Sequence, residues 1–107
     1  MIEILEYWKP RLGLHSWDIR VKTEPRGERK GDAESFVRPQ IERADITVFC
    51  ADEGGDPFEL TLLHELVHIR LWSIDPYEAE GVLHYCREVA IEWLARALYS
   101  SKNGGGA

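Results

Sequence analysis

The spacing of apolar positions changes along the chain, and each change marks an element. From Ile2 to Leu12, Ile4, Leu5 and Trp8 fall on one side of a helix, with Pro10-Arg11 near its end and Gly13 as its stop. Trp17 to Lys22 then sets Trp17, Ile19 and Val21 against Asp18, Arg20 and Lys22, the period of a half-buried strand. Thr23 to Asp32, with Pro25, Gly27 and Gly31, is a loop, and Ala33 to Arg38, ended by Pro39, is a weaker second strand. Ala44 to Ala51 reads as a third strand because β-branched Ile46, Thr47 and Val48 stand beside Phe49.

Two helices follow, each announced by the same start. Asp56-Pro57-Phe58-Glu59 and Asp75-Pro76-Tyr77-Glu78 place Asp at the N-cap, Pro at the first helical position and Glu two residues on. The Asp accepts from orphan backbone N–H groups, the Pro has none to lose, and the Glu can reach back to the cap. The spacing predicts helices from Pro57 to about Ser73 and from Pro76 to about Tyr99, with Gly81 able to bend the second. Helix, three strands, helix, helix is an α+β order, a small twisted three-stranded sheet packed on helices. Residues 1–100 read as one domain, and Ser101 to Ala107, with Gly104-Gly105-Gly106, as a disordered tail.

Composition narrows the function classes. A net charge of −6 in 107 residues argues against binding nucleic acid, which needs a basic footprint. The one basic cluster, Arg26 to Lys30, contains Glu28 and reads as a solvated turn. No apolar run is long enough to span a bilayer, and Met1-Ile2-Glu3 lacks the basic opening of a signal peptide. Cys50 and Cys86 are too few for a disulfide framework, and each sits in an apolar run, so both are expected as buried free thiols in a cytoplasmic setting.

The chemistry gathers in His64-Glu65-Leu66-Val67-His68. On a helix, positions i and i+4 share a face, so His64 and His68 can present two imidazoles to one ion, with zinc the best match to the ligand set. Glu65 points beside that ion, where it can act as general base toward water. Chance produces His-Glu-x-x-His in on the order of one chain in several hundred of this size. Leu60, Leu62, Leu63, Leu66, Val67, Ile69 and Leu71 make this helix apolar on nearly every side, so its His and Glu side chains are buried and need partners.

A catalytic zinc site usually takes three protein ligands. The long metzincin pattern is absent, since Leu71 and Ile74 stand where its glycine and third histidine belong. The last helix offers His84, Glu88 and Glu92 at i, i+4, i+8, among Val82, Leu83, Val89, Ile91, Trp93, Leu94 and Leu98. Glu88 is the preferred third ligand and His84 its rival. Glu92, one turn on, can accept a hydrogen bond from a ligand imidazole and fix its orientation.

With these motifs in place, the chain resembles the minigluzincins, small HExxH proteins of phages and bacteria that look like thermolysin-type peptidases reduced to one domain. The likeness runs through Arg11-Leu12-Gly13-Leu14, Trp17-Asp18-Ile19-Arg20-Val21, Ala33-Glu34, Arg43-Ala44-Asp45-Ile46-Thr47-Val48, the HExxH helix and Glu88-Val89-Ala90-Ile91-Glu92-Trp93-Leu94-Ala95. It implies Glu88 as zinc ligand, Glu65 as base and Glu92 behind the ligands, and the nineteen residues between His68 and Glu88 agree with gluzincin spacing. It also implies that a chain terminus can hold the enzyme latent. SprT-like metallopeptidases share HEL-x-H but take a downstream histidine as third ligand, near the place of His84.

The expected activity is zinc-dependent endopeptidase action on a peptide or protein substrate, with Glu65 moving the proton and the Ala44–Ala51 strand offering an edge for an extended peptide. His84, Tyr85 and Tyr77 are unranked candidates for stabilising the oxyanion. The competing expectation is a zinc-binding protein without catalysis, self-inhibited or acting through protein binding. Its fourth metal position would be closed by the chain itself, with Cys50 one candidate.

Overall fold

The computed structural model describes residues 2–25, 27, 32–49, 56–72 and 81–103. Their order is helix α1 (Ile2–Arg11), strands β1 (Asp18–Glu24) and β2 (Ala33–Arg38), a 3-10 turn (Pro39–Ile41), strand β3 (Arg43–Phe49), and helices α2 (Asp56–Trp72) and α3 (Gly81–Lys102). The architecture is α+β, as expected from the order of patterns.

Gly13 ends α1 as the sequence predicts. Its φ of +72° is open to glycine at little cost, and the N–H of Leu14 closes the helix onto the carbonyl of Lys9 at 2.8 Å. Trp8 and Leu14 are then buried on either side of this stop.

The sheet is mixed, in the order β1-β3-β2. β1 runs parallel to β3 from Asp18↔Arg43 to Glu24↔Phe49, and β2 runs antiparallel to it from Ala33↔Val48 to Arg38↔Arg43. This corrects one expectation. The third strand is central and paired on both sides, so it cannot receive a substrate strand. Among the described residues, β1 and β2 are the outer strands. Ala44, Ile46, Val48 and Phe49 of β3 are all buried.

Helix α2 is the hub, packing against α1, α3 and the sheet. Phe58, Leu62, Leu63, Leu66, Val67 and Ile69 are buried along it and meet Ile46 and Val48 of β3 and Ile91 and Ala95 of α3 in one core. Each such side chain contributes about 1.5–3 kcal/mol by leaving water. Around the circumference of α2, His64, Glu65 and His68 occupy the arc that this core leaves open.

The far ends of the helices are tied by a buried carboxylate. Glu59 accepts a hydrogen bond from Trp8 Nε1 at 2.8 Å and another from Lys102 Nζ. Helix α3 therefore runs past Tyr99 into the stretch expected as tail. The Asp75-Pro76 start and residues 104–107 lie outside the described residues, as do Arg26, Glu28 to Lys30, and Cys50. Cys86 is exposed, contrary to expectation. So are Tyr85, Val89, Trp93 and Leu94, because α3 lies on α2 through one side only.

Candidate metal centre

His64 and His68 stand one turn apart on α2, with ring centroids 5.0 Å apart. Their Nε2 atoms converge on a single atom of the neighbouring helix: Glu88 Oε2 lies 3.0 Å from His64 Nε2 and 3.1 Å from His68 Nε2. Donors on a tetrahedral zinc with bonds of roughly 2.0–2.1 Å are about 3.3 Å apart. Each imidazole–carboxylate distance is thus a little under the spacing of two donors on one coordination sphere.

The other nitrogen of His64 shows that the set suits a cation. Its Nδ1 is 2.9 Å from Glu92 Oε2, an acceptor, so Nδ1 carries the proton and donates. In a neutral ring Nε2 then offers a lone pair, and it faces a carboxylate oxygen that can only accept. Two acceptors at 3.0 Å repel unless a metal ion or an added proton lies between them. Arg96 Nε, 3.1 Å from Glu92 Oε1, holds the far side of the same carboxylate.

Glu65 is partly buried, and one of its oxygens lies within 4.8 Å of the histidine donor atoms. His64, Glu65 and His68 therefore form a group that could hold a metal ion. Burial raises the Glu65 pKa above its ordinary value against the opposing pull of His68, His64 and a hydrogen bond from Ser35. At Glu88 burial also pushes upward, but positive charge on His68 and the short contacts of both imidazoles with its carboxylate, when the rings carry the added proton, outweigh it and leave the pKa lowered. Two carboxylates beside the same histidines are thus driven apart, one toward keeping a proton and one toward losing it.

These groups open onto a cavity of about 700 Å³. The inner residues of β2, Ala33, Ser35 and Val37, form one wall, and Trp72, Glu92 and Arg96 lie among its lining residues on the helices. Of the expected oxyanion candidates, Tyr85 is exposed and is not among the described lining residues. Tyr77 and the side chain of His84 lie outside the described residues. Sequence reasoning passed over Ser35 and Arg96. The available signals were a hydroxyl on the inward register of β2, between Ala33 and Val37, and a guanidinium four residues after Glu92.

Comparison with protein-family models, curated proteins and solved structures finds no match to this chain. What is established is a possible metal-binding His-Glu-His group on a helix, with a second helix bringing Glu88 and Glu92 beside it.

Proposed function

We propose that the chain is a zinc-dependent endopeptidase of gluzincin type, with His64, His68 and Glu88 as metal ligands, Glu92 orienting His64, and Glu65 as the proton-moving residue. The observation that carries this reading is that two imidazole nitrogens each lie within 3.1 Å of Glu88 Oε2 at the wall of an open cavity. A bound zinc ion supplies Lewis-acid polarisation of a carbonyl and favours ionisation of water.

The residues of the chain do the rest. Glu65, with a raised pKa, accepts a proton from water and returns it to the departing amine. The hydroxyl of Ser35 donates to the Glu65 carboxylate and holds it on the side of β2. An extended peptide adds along the outer edge of β2, which no described strand pairs, taking main-chain hydrogen bonds there, and the inner face of that strand lines the cavity. Arg96 steadies Glu92, so that His64 keeps one tautomer.

The test is hydrolysis of a mixed peptide library by zinc-loaded protein, followed by mass spectrometry. Wild type should cleave. Glu65→Gln should keep its zinc and lose about 10²–10⁴-fold in rate. Zinc-loaded wild type that cleaves nothing, also after removal of the residues following Asn103, would make this a metal-binding protein without catalysis.

A further inference from the structure

Helix α3 turns an uncharged face to solvent. Ile91 and Ala95 are buried against α2, whereas on the opposite side Tyr85 is 68%, Val89 36%, Trp93 70% and Leu94 43% exposed. Cys86, Ala90 and Ala97 are exposed along the same side. No carboxylate or ammonium group interrupts it; Arg96, turned to Glu92, stands at one margin and Arg87, one heptad before Leu94, at the other. A surface helix ordinarily carries polar residues on this side, and one that is apolar all round is ordinarily covered.

The pattern on this face selects its occupant. Cys86, Ala90, Trp93 and Ala97 follow one another at steps of four, three and four, the spacing of the two core positions of a heptad. Val89 and Leu94 flank the seam. In a parallel pair each core residue meets itself, which sets Trp93 against Trp93 and leaves the alanine layers hollow. In an antiparallel pair the two kinds of core position meet each other. Trp93 then covers Ala90 of the other copy and Ala97 meets Cys86, so large opposes small in the central layers. The face is complementary to itself.

Charge and area agree. Two chains of net charge −6 repel, but their contact here places neutral surface on neutral surface. Val89, Trp93 and Leu94 expose on the order of 300 Å² per chain and the small residues of the seam add roughly 100 Å², so two copies would cover about 800 Å², the size of a weak, concentration-dependent contact. An anionic membrane would call for a row of lysine or arginine along the margins of the face, and Arg87 and Arg96, each already engaged within the chain, do not make one.

We propose that the chain forms a two-fold symmetric homodimer through antiparallel packing of α3, with Trp93 of each copy seated over Ala90 of the other. The residues of the metal centre stay outside this seam, so the proposal stands or falls independently of the peptidase reading.

Sedimentation velocity of the full chain, from low micromolar to near-millimolar concentration, should show a monomer–dimer equilibrium. Trp93→Glu should give the monomer mass throughout. Its circular dichroism should be unchanged, because the side chain lies outside the core. Under mild oxidation, Ala97→Cys should give a covalent dimer whose peptide map joins Cys86 to position 97. Wild type should give no Cys86–Cys86 link, since those residues would lie about 16 Å apart along the antiparallel pair. A monomeric wild type at every concentration would overturn the proposal, as would a Trp93→Glu dimer or a wild-type Cys86–Cys86 link. Flotation of wild type with anionic vesicles without self-association would assign the face to a membrane instead.

Discussion

His64 Nδ1 and Glu92 Oε2 are 2.9 Å apart, and this one contact determines which nitrogen of His64 is free to bind. With the proton held on Nδ1, the lone pair of Nε2 points to the place where His68 Nε2 and Glu88 Oε2 meet. Glu92→Ala should lower zinc affinity by about 10–100-fold, read by competition with a chromophoric chelator. Glu92→Gln keeps an acceptor for Nδ1 and should lose less. Arg96→Ala should have the smallest effect, because the exposed Arg96–Glu92 pair is worth at most about 1 kcal/mol.

The third ligand separates two lineages of HExxH protein. Glu88→Ala removes the oxygen shared by both histidines and should weaken zinc binding by more than Glu92→Ala does. His84→Ala should leave affinity nearly unchanged. The reverse ranking in the same chelator competition would make His84 the ligand and align the chain with the SprT-like pattern.

Glu65 makes metal-free stability depend on pH, with a definite sign. Its folded pKa lies above the ordinary 4.5, so as pH rises past that value the unfolded chain gives up this proton before the folded one does. The folded state then binds more protons than the unfolded state, and stability falls with rising pH across that window. Glu65→Gln abolishes the titration. Urea denaturation of the two metal-free proteins should show the variant gaining on wild type from about pH 4.5 upward. Curves that stay parallel would place Glu65 in water rather than in the site.

The Glu59 clamp is a structural device away from the metal. Trp8 Nε1 is buried and donates to Glu59, which Lys102 also reaches from the end of α3. Glu59→Leu leaves that indole N–H without an acceptor, at a cost of about 1–3 kcal/mol. The expected result is a lower urea midpoint with zinc stoichiometry unchanged.

Much of this was legible in residue order. The period-two run of β1, the Gly13 stop and the apolar circumference of α2 each reflect a local rule, and each reappears in the fold. The i, i+4 spacing of the histidines and the Glu88–Glu92 stripe could be read in the same way, and the structure brings them together. Strand order could not. Nothing in Ala44–Ala51 says that both of its sides are paired until β1 and β2 are seen to flank β3. The outward turn of Trp93, Leu94 and Cys86 was hidden for a similar reason. An apolar residue on a helix reads as core, and only the one-sided packing of α3 shows which of them the core uses.

On the proposed reading, His64, His68 and Glu88 hold one zinc ion. Metal-free protein titrated with zinc, washed free of excess and analysed by inductively coupled plasma mass spectrometry measures this directly. The expected result is about one zinc per chain for wild type and for Glu65→Gln, and none retained by His64→Ala or His68→Ala. Full zinc retention by both histidine variants, with their fold intact by circular dichroism, would mean that these residues do not bind the ion.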